Sequence, residues 1–315
     1  MYKGKESAPV WLNEVYKLSY SGIITPMTTP FNDDESLNLD GFRSEIKRLI
    51  TSGVHGILIL GTNGENYALS LEEKKTLISV AAETVDHRLP LFVGTGEIRT
   101  ADTIMLSRKA SSAGCDGVFV LAPYYAHLTQ SQLFWHYTQV AKSIDLPLFI
   151  YNIPARTGIN MEMATFAELA KMDVVCGMKD TSGNFSTMLG YIQAAKESGR
   201  DLSVFSGFDP FIYWCLAAGG SGAVAGTSNV YPHAVVGIYE NFRKGNDTEA
   251  RRLQEAILIN RRAFGFANPN VVVKKLLAGL GYPVGKCRDP FNGVSEEGMA
   301  VIAQILRDAK SHGLN

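Results

Sequence analysis

Cysteines are scarce in this chain of 315 residues, and none of the four lies in a CxxC pair or a histidine-rich cluster. This scarcity argues against a disulfide framework and against a zinc site, so we expect buried, reduced thiols. The six histidines are dispersed, and no set of histidine and acidic residues has the spacing of metal ligands. We therefore expect neither a metal ion nor another cofactor.

Net charge and long apolar runs are also missing. The 30 basic and 31 acidic residues leave a formal charge of −1 at pH 7, which gives no basic surface for nucleic acid or for a membrane. No apolar run approaches the ~20 residues of a membrane span, and the N-terminal segment lacks the pattern of a signal peptide. We expect a cytoplasmic protein whose partners are small molecules or copies of itself.

What the sequence does contain is a series of eight short apolar runs separated by longer amphipathic stretches. The runs are continuously hydrophobic, which is typical of strands that are covered on both faces. This alternation indicates a parallel α/β protein. The runs are "SGIITPM" (21–27), "GILILG" (56–61), "PLFVGTG" (90–96), "GVFVLAP" (117–123), "PLFIYN" (147–152), "VVCGMKD" (174–180), "SVFSG" (203–207) and "GAVAG" (222–226).

Eight such strand–helix units fit a (β/α)8 TIM barrel better than an open doubly wound sheet. No glycine-rich dinucleotide fingerprint follows the first run, which weakens the open-sheet alternative further. We predict an N-terminal extension over 1–20, the barrel over 21–244 and a C-terminal helical region over 245–315. The last of these is read as three helices, "DTEARRLQEAILINRRAF", "NVVVKKLLAGLG" and "SEEGMAVIAQILRDAK".

The active site of such a barrel lies at the carboxyl ends of its strands. One of these ends holds Lys179, within "VVCGMKDTSGN". Burial among apolar residues favours the neutral form of an amine, and a neutral amine attacks carbonyl carbons to form a Schiff base. By itself, however, a lysine here is more often one whose stem packs while its head reaches solvent.

Hydroxyl groups at neighbouring strand ends strengthen the catalytic interpretation. Tyr151 ends the preceding strand, and Schiff-base chemistry needs a group that moves protons. Thr62 and one of Tyr124 or Tyr125 are placed to extend a hydroxyl chain from it. A single tyrosine at a barrel end is ordinary packing, so the prediction depends on these residues occurring together.

Two loops offer anion-binding groups. The turn "GTNGEN" presents closely spaced backbone N–H groups that suit a carboxylate. Arg156, in "YNIPARTG", is able to bind a second carboxylate through two hydrogen bonds. The glycine-rich turns "SGFDP", "AGGSG" and "GTSN" are typical of phosphate sites in barrels, which leaves a phosphosugar enzyme as the rival interpretation.

"GTNGEN", "APYY", "YNIPARTG" and "GMKDTSGN", in this order and at successive strand ends, together resemble the dihydrodipicolinate synthase / N-acetylneuraminate lyase family of class I aldolases. The resemblance runs from about Ser21 and includes "GGSGAVAGTSN" and "ANPNVVVKKLL". No single motif is specific for this family, but the motifs occurring together are.

The resemblance implies a role for each matching residue. Lys179 would form a Schiff base with pyruvate or with the pyruvyl part of a 2-oxo acid. Tyr151 would transfer protons, with Thr62 and Tyr125 completing the relay. The family's counterpart of Tyr125 reaches into a neighbouring subunit, which implies a homo-oligomer, either a dimer or a tetramer. The pyruvyl carboxylate would bind at Thr62 and Asn63, beside Val224.

The residues that match the family and those that depart from it point to different second substrates, each of them a small aldehyde. Arg156 matches the arginine that dihydrodipicolinate synthases keep for aspartate semialdehyde, and this makes a 4-hydroxy-tetrahydrodipicolinate synthase-like lyase the leading hypothesis. Asn63 and Ala126 depart from the synthase pattern. These departures, with the tail "GYPVGKCRDP", keep a 2-keto-3-deoxy sugar-acid or 4-hydroxy-2-oxoglutarate aldolase as the alternative. A non-catalytic sensor of 2-oxo acids is the more distant one.

Overall fold

The computed structural model describes residues 20–314. Within that range eight parallel strands follow one another around a closed barrel, and the last pairs with the first. Each predicted apolar run contains one strand, so the (β/α)8 TIM barrel is confirmed. The strands are β1 (Gly22–Pro26), β2 (Gly56–Ile59), β3 (Leu91–Gly94), β4 (Gly117–Leu121), β5 (Leu148–Asn152), β6 (Val175–Asp180), β7 (Ser203–Ser206) and β8 (Gly222–Val224).

Helices cover the outside of the barrel and continue beyond it. Side-chain caps begin several of them: Ser70 caps α2 and Thr129 caps α4, each with a reciprocal bond from the third helical residue. The helices around the barrel are α1 (Leu39–Thr51), α2 (Leu71–Val85), α3 (Thr100–Ser112), α4 (Gln130–Ala141), α5 (Pro154–Thr157), α6 (Met163–Leu169), α7 (Phe185–Glu197), α8 (Ile212–Ala217) and α9 (Pro232–Arg243). Those that follow are α10 (Asp247–Ala256), α11 (Pro269–Gly279) and α12 (Glu296–Ser311).

Eight buried side chains, four of them phenylalanines, pack against one another in the barrel interior: Ile24, Leu58, Phe92, Phe119, Phe149, Cys176, Phe205 and Val224. Phe119 and Phe149 stack with their ring centroids 4.7 Å apart. At the amino-terminal end of the strands, Tyr20 packs edge-on against Phe92 and Phe149. The N-terminal extension predicted over 1–20 therefore ends in a residue that belongs to the barrel, and its other residues lie outside the described range.

The C-terminal region departs from the prediction at one point. The expected helix over 247–264 is α only as far as Ala256, and it continues as a 3-10 helix over Ile257–Ala263. A 3-10 helix repeats every three residues. This spacing places Ile257, Asn260 and Ala263, exposed by 1%, 2% and 0%, on the buried side together. In an α-helix each of them would be turned by about 60° from the one before.

Within residues 20–314, no helix is both long and apolar enough to cross a bilayer. In the same range no three histidine, cysteine, aspartate or glutamate side chains are grouped so that they could hold a metal ion. All four cysteines of the chain are buried and unpaired: Cys115, Cys176, Cys215 and Cys287.

Candidate active site

Tyr151 on β5 and Lys179 on β6 lie side by side at the carboxyl end of the barrel. The two residues are partners in the strand register. Nζ of Lys179 lies 3.9 Å from the centroid of the Tyr151 ring, and the residues are 3% and 5% exposed. No hydrogen bond or ion pair joins the amine to another residue in 20–314. The amine is thus buried, unpaired and next to an aromatic ring.

The turn that follows β2, residues 61–65, brings a hydroxyl group to the same place. Oγ1 of Thr62 lies 3.2 Å from the hydroxyl of Tyr151, and either atom is able to donate. We call residues 61–65 the Thr62 turn. The turn connects a second proton-carrying group to the pair formed by Lys179 and Tyr151.

Two backbone N–H groups in the Thr62 turn are available to a ligand. Within the turn, Gly64 donates to the carbonyl of Gly61 at 3.0 Å, and Glu65 donates to that of Thr62 at 3.1 Å. The N–H groups of Thr62 and Asn63 have no partner among the described residues. Adjacent unpaired N–H groups bind anions, so this turn fits a carboxylate.

A single cavity of about 220 Å³ brings together every predicted site residue except Tyr125: Thr62, Asn63, Tyr151, Arg156, Lys179 and Val224. Val224, on β8, is 1% exposed. Arg156, on the short helix α5, is exposed and lies at the edge of this first cavity. These six residues belong to four separate strand ends, those of β2, β5, β6 and β8, and the closed barrel brings them around one cavity.

A second cavity, of about 260 Å³, adjoins the first. Thr62 and Arg156 contribute to both, and aromatic side chains form much of the remaining wall of the second. Among them, Tyr67 and Phe291 meet edge to face with centroids 4.8 Å apart. Tyr124 also lines this cavity, and burial raises the pKa of its hydroxyl.

Tyr125 does not join the other site residues within one chain. Its side chain is 97% exposed, and its φ of 78° lies in the left-handed region that residues other than glycine rarely adopt. The prediction that Tyr125 completes the proton relay is therefore not met inside a single subunit. It stays a prediction about a neighbouring one.

Asp209 contributes a carboxyl group that sequence reasoning did not single out, although it lies in the "SGFD" strand end. Its oxygens accept hydrogen bonds from the N–H groups of Gly226 at 3.1 Å and Thr227 at 2.8 Å. Burial raises the pKa of Asp209, while the nearby Lys179 acts in the opposite direction. Because Asp209 occupies these N–H groups, the "GTSN" turn after β8 does not offer them to a phosphate.

The C-terminal region adds further residues to the first cavity, and these were also missed. Asn270 on α11 and Asn260 on the 3-10 helix both line it, and both are 2% exposed. The amide of Asn260 has no hydrogen-bond partner among residues 20–314. The available signal was a polar residue within the apolar segment "AILIN".

The comparison with family models decides the assignment. The model of the dihydrodipicolinate synthetase family matches residues 19–309 of this chain. The chain belongs to the dihydrodipicolinate synthetase family. This agrees with the resemblance found at the strand ends, and the match extends through the C-terminal helices that close over the first cavity.

Individual members of the dihydrodipicolinate synthetase family are similar over nearly their full lengths. A 4-hydroxy-tetrahydrodipicolinate synthase of Methanoculleus marisnigri is 36% identical over 297 residues, which are 93% of this chain and 100% of that protein. The enzyme of the same name from Ralstonia nicotianae is 34% identical over 290 residues, covering 92% and 97%.

Solved structures of the family have the same fold. YagE, a prophage protein of the dihydrodipicolinic acid synthase family from E. coli K12, was solved in complex with pyruvate. It gives a TM-score of 0.89 at 31% identity, covering 94% of this chain and 99% of that one. Dihydrodipicolinate synthase from Thermotoga maritima gives 0.89 at 29% identity, with 93% and 99% covered.

Proposed function

We propose that this protein is a lyase that joins pyruvate to Lys179 as a Schiff base and makes or breaks a carbon–carbon bond between pyruvate and a small aldehyde. The observation that carries the proposal is the buried amine of Lys179, 3.9 Å from the Tyr151 ring, with Thr62 within hydrogen-bond reach of the tyrosine hydroxyl. The leading second substrate is aspartate semialdehyde, as in a 4-hydroxy-tetrahydrodipicolinate synthase.

The first step is attack of the neutral Lys179 amine on the keto carbon of pyruvate. A C–N bond forms, the carbonyl oxygen becomes a hydroxyl group, and that group leaves as water once it is protonated. The resulting iminium withdraws electrons from the methyl carbon. Loss of a proton from this carbon gives an enamine, whose carbon attacks the aldehyde.

We assign the movement of these protons to Tyr151. Its ring lies against the Lys179 amine and its hydroxyl is within hydrogen-bond reach of Thr62, so a proton taken at the bound pyruvate would pass along that hydrogen bond to Oγ1 of Thr62. The unpaired N–H groups of Thr62 and Asn63 support binding of the pyruvate carboxylate at the same turn. One turn would thus orient pyruvate and extend the proton path.

We place the aldehyde beyond the Schiff base, toward Arg156. A guanidinium binds a carboxylate with two parallel hydrogen bonds, and aspartate semialdehyde carries a carboxylate. The names of the relatives from Methanoculleus marisnigri and Ralstonia nicotianae support this choice. The alternative, a 2-keto-3-deoxy sugar-acid or 4-hydroxy-2-oxoglutarate aldolase, is favoured by Asn63 and by the neutral, unpartnered amide of Asn260.

We also propose that Tyr125 enters the site of a second subunit, so that the active protein is a homo-oligomer, a dimer or a tetramer. The support is its exposure and its left-handed backbone, because strained residues outside glycine concentrate at functional positions.

Trapping the intermediate tests the proposal. The protein is incubated with pyruvate, treated with borohydride and digested, and mass spectrometry is used to locate a reduced pyruvate adduct. We expect the adduct on Lys179, with none on the Lys179→Arg variant. A folded protein that gives no adduct would overturn the Schiff-base assignment. An adduct without turnover of any aldehyde would point to the sensor.

Aldehyde preference then identifies the second substrate. Once the adduct is established, kcat/KM is compared for aspartate semialdehyde and for sugar-derived aldehydes. We expect Arg156→Ala to lower kcat/KM for aspartate semialdehyde by at least about tenfold, in line with a lost charged hydrogen bond, and to leave adduct formation unchanged. An equal loss with uncharged aldehydes would contradict the role of Arg156.

A further inference from the structure

Helix α11, in the C-terminal region, reaches the Thr62 turn with two side chains. Asn270 and Lys274 are four residues apart, so they project from the same face of the helix. Both are 2% exposed. Residues that follow the barrel in sequence by some 30 positions are thus packed against the turn that forms part of the site.

Asn270 holds the turn at its catalytic residue. Its amide Nδ2 donates to the main-chain carbonyl of Thr62 at 2.7 Å and lies 3.0 Å from the hydroxyl of Tyr67. The Thr62 carbonyl also accepts from Glu65 inside the turn, so both of its lone pairs are used. On the opposite side, Thr29 donates to the carbonyl of Gly64 at 2.7 Å.

Lys274 holds the turn at its far end. Its Nζ lies 2.6 Å from Oε1 of Glu65, and the Glu65 side chain is 0% exposed. Glu65 adopts a left-handed backbone with φ 54°, which is unfavourable for a side chain of this size. The N–H of Arg288 donates to the other carboxylate oxygen at 3.1 Å. The unfavourable turn conformation is therefore fixed from the C-terminal region.

We propose that Asn270 is a positioning residue of the reaction. By fixing the Thr62 main chain, it sets the direction of the Thr62 and Asn63 N–H groups and the place of Oγ1 beside Tyr151. This inference rests on the proposed function, because it assigns Asn270 a task in binding pyruvate and in moving its proton. Without that hydrogen bond, the turn keeps its fold through Lys274 but not the position that the carboxylate needs.

The test is a nearly isosteric change that replaces the amide donor with an ionisable acid. Asn270→Asp keeps the shape of the side chain, but a carboxylate cannot donate to the Thr62 carbonyl, whereas a protonated carboxyl group can. The rate of borohydride-trapped adduct formation is measured as a function of pyruvate concentration, which needs no aldehyde. At pH 8 we expect half-saturation at about tenfold higher pyruvate than in the wild type. Below about pH 6 we expect the difference to narrow, since burial favours the protonated acid.

A matched control is Arg262→Gln, which breaks the surface pair of Arg262 with Asp308 in the same region and touches no part of the turn. It should stay within twofold of the wild type at each pH. If Asn270→Asp does not fold, Asn270→Ser replaces it, and we expect a smaller deficit that does not change with pH. A deficit of Asn270→Asp that is constant with pH, or a value within twofold of the wild type at pH 8, overturns the proposal. Absence of the wild-type adduct would instead refute the proposed function.

Discussion

At the scale of single residues, Gly207 shows how little space surrounds the reactive amine. A Cβ at this position would lie 1.9 Å from Oγ1 of Thr181 and 2.9 Å from Cε of Lys179. Overpacking of this kind costs about 1–3 kcal/mol. We expect Gly207→Ala to slow adduct formation with pyruvate by ~10–100-fold, as followed by borohydride trapping.

Gly265→Ala is the matched control for Gly207→Ala, because nothing lies within 4 Å of the Cβ it would add. It should form the adduct at the wild-type rate. If Gly207→Ala also forms the adduct at the wild-type rate, the Lys179 side chain has more room to move than the neighbouring atoms indicate.

We expect loss of the Tyr151 hydroxyl to slow proton transfer more than loss of the Thr62 hydroxyl does. In the proposed mechanism, Tyr151→Phe removes the hydroxyl that takes the proton, whereas Thr62→Val removes only the next hydroxyl of the relay. We expect proton loss from the methyl group of bound pyruvate to slow by ~10²–10⁴-fold in Tyr151→Phe, and by less in Thr62→Val. Exchange of the pyruvate methyl protons in D2O, followed by NMR, measures this step directly. Exchange at the wild-type rate in Tyr151→Phe would exclude it as the proton carrier.

Among the site residues, those that end strands were predictable from the sequence. Lys179 and Tyr151 lie near the ends of apolar runs and Thr62 directly follows one, and barrel closure alone brings such positions together. Asn260 and Asn270 were not predictable in this way. Their place in the cavity depends on how the C-terminal region folds back over the barrel mouth, and no local pattern encodes that packing.

At the scale of secondary-structure elements, we expect a large change in the free energy of unfolding when the ion pair between Lys274 on α11 and Glu65 in the Thr62 turn is broken. Both side chains are buried, and removing one partner leaves an uncompensated charge at a cost of about 3–5 kcal/mol. We expect Lys274→Met to lower the free energy of unfolding by that amount in urea denaturation. Adding Glu65→Gln to it should restore part of the loss.

The exposed pair of Lys75 and Glu72 on α2 is the comparison for Lys274→Met. Lys75→Met should change the free energy of unfolding by less than about 1 kcal/mol. Similar losses from the two lysine variants would mean that the Lys274 pair is not desolvated.

The contact between α3 and α4 should make stability depend on pH. His136 on α4 is 2% exposed, its Nδ1 lies 2.9 Å from the Thr100 hydroxyl, and burial lowers its pKa to about 4. The folded state thus resists protonation that the unfolded chain accepts below about pH 6.5. The contribution of neutral His136 to the free energy of unfolding is complete above pH 6.5. It is lost as the pH falls toward 4, by at most about 3 kcal/mol.

Urea unfolding of the wild type and of His136→Asn, at pH 7 and at pH 4.5, checks this dependence. We expect the wild type to lose more stability than the variant over this interval. His233→Asn, at an exposed position of α9, should behave as the wild type does. Equal losses in the wild type and His136→Asn would assign the pH dependence to other groups.

The elements themselves were largely predictable. All eight strands were found because a strand that is buried on both faces leaves a continuous apolar run. The change from α10 to a 3-10 helix at Ile257 was not found, since "AILINRRAF" satisfies a helical pattern as far as local spacing shows. The 3-10 segment places Asn260 in the wall of the first cavity, a contact that local spacing does not show.

At the scale of the whole molecule, Tyr125 allows a test of whether two chains share one active site. If Tyr125 acts in a neighbouring subunit, a Lys179→Ala chain still supplies Tyr125 to the active site of a Tyr125→Phe chain. That site keeps its own Lys179 and is therefore complete. Unfolding the two variants together and refolding them should then restore about a quarter of wild-type activity, because half of the dimers are mixed and each has one complete site. The variants refolded separately and then combined are the control. No gain over that control would place the relay within one chain.

Asp209 leaves the turn after β8 without free donors for a phosphate group. Aldehydes derived from sugars occur both free and phosphorylated, and a phosphate needs N–H donors at the turn after β8. There it would find the N–H groups of Gly226 and Thr227 already bound to the carboxyl group of Asp209. If the proposed lyase activity holds, we therefore expect the protein to use unphosphorylated aldehydes even where phosphorylated aldehydes are abundant.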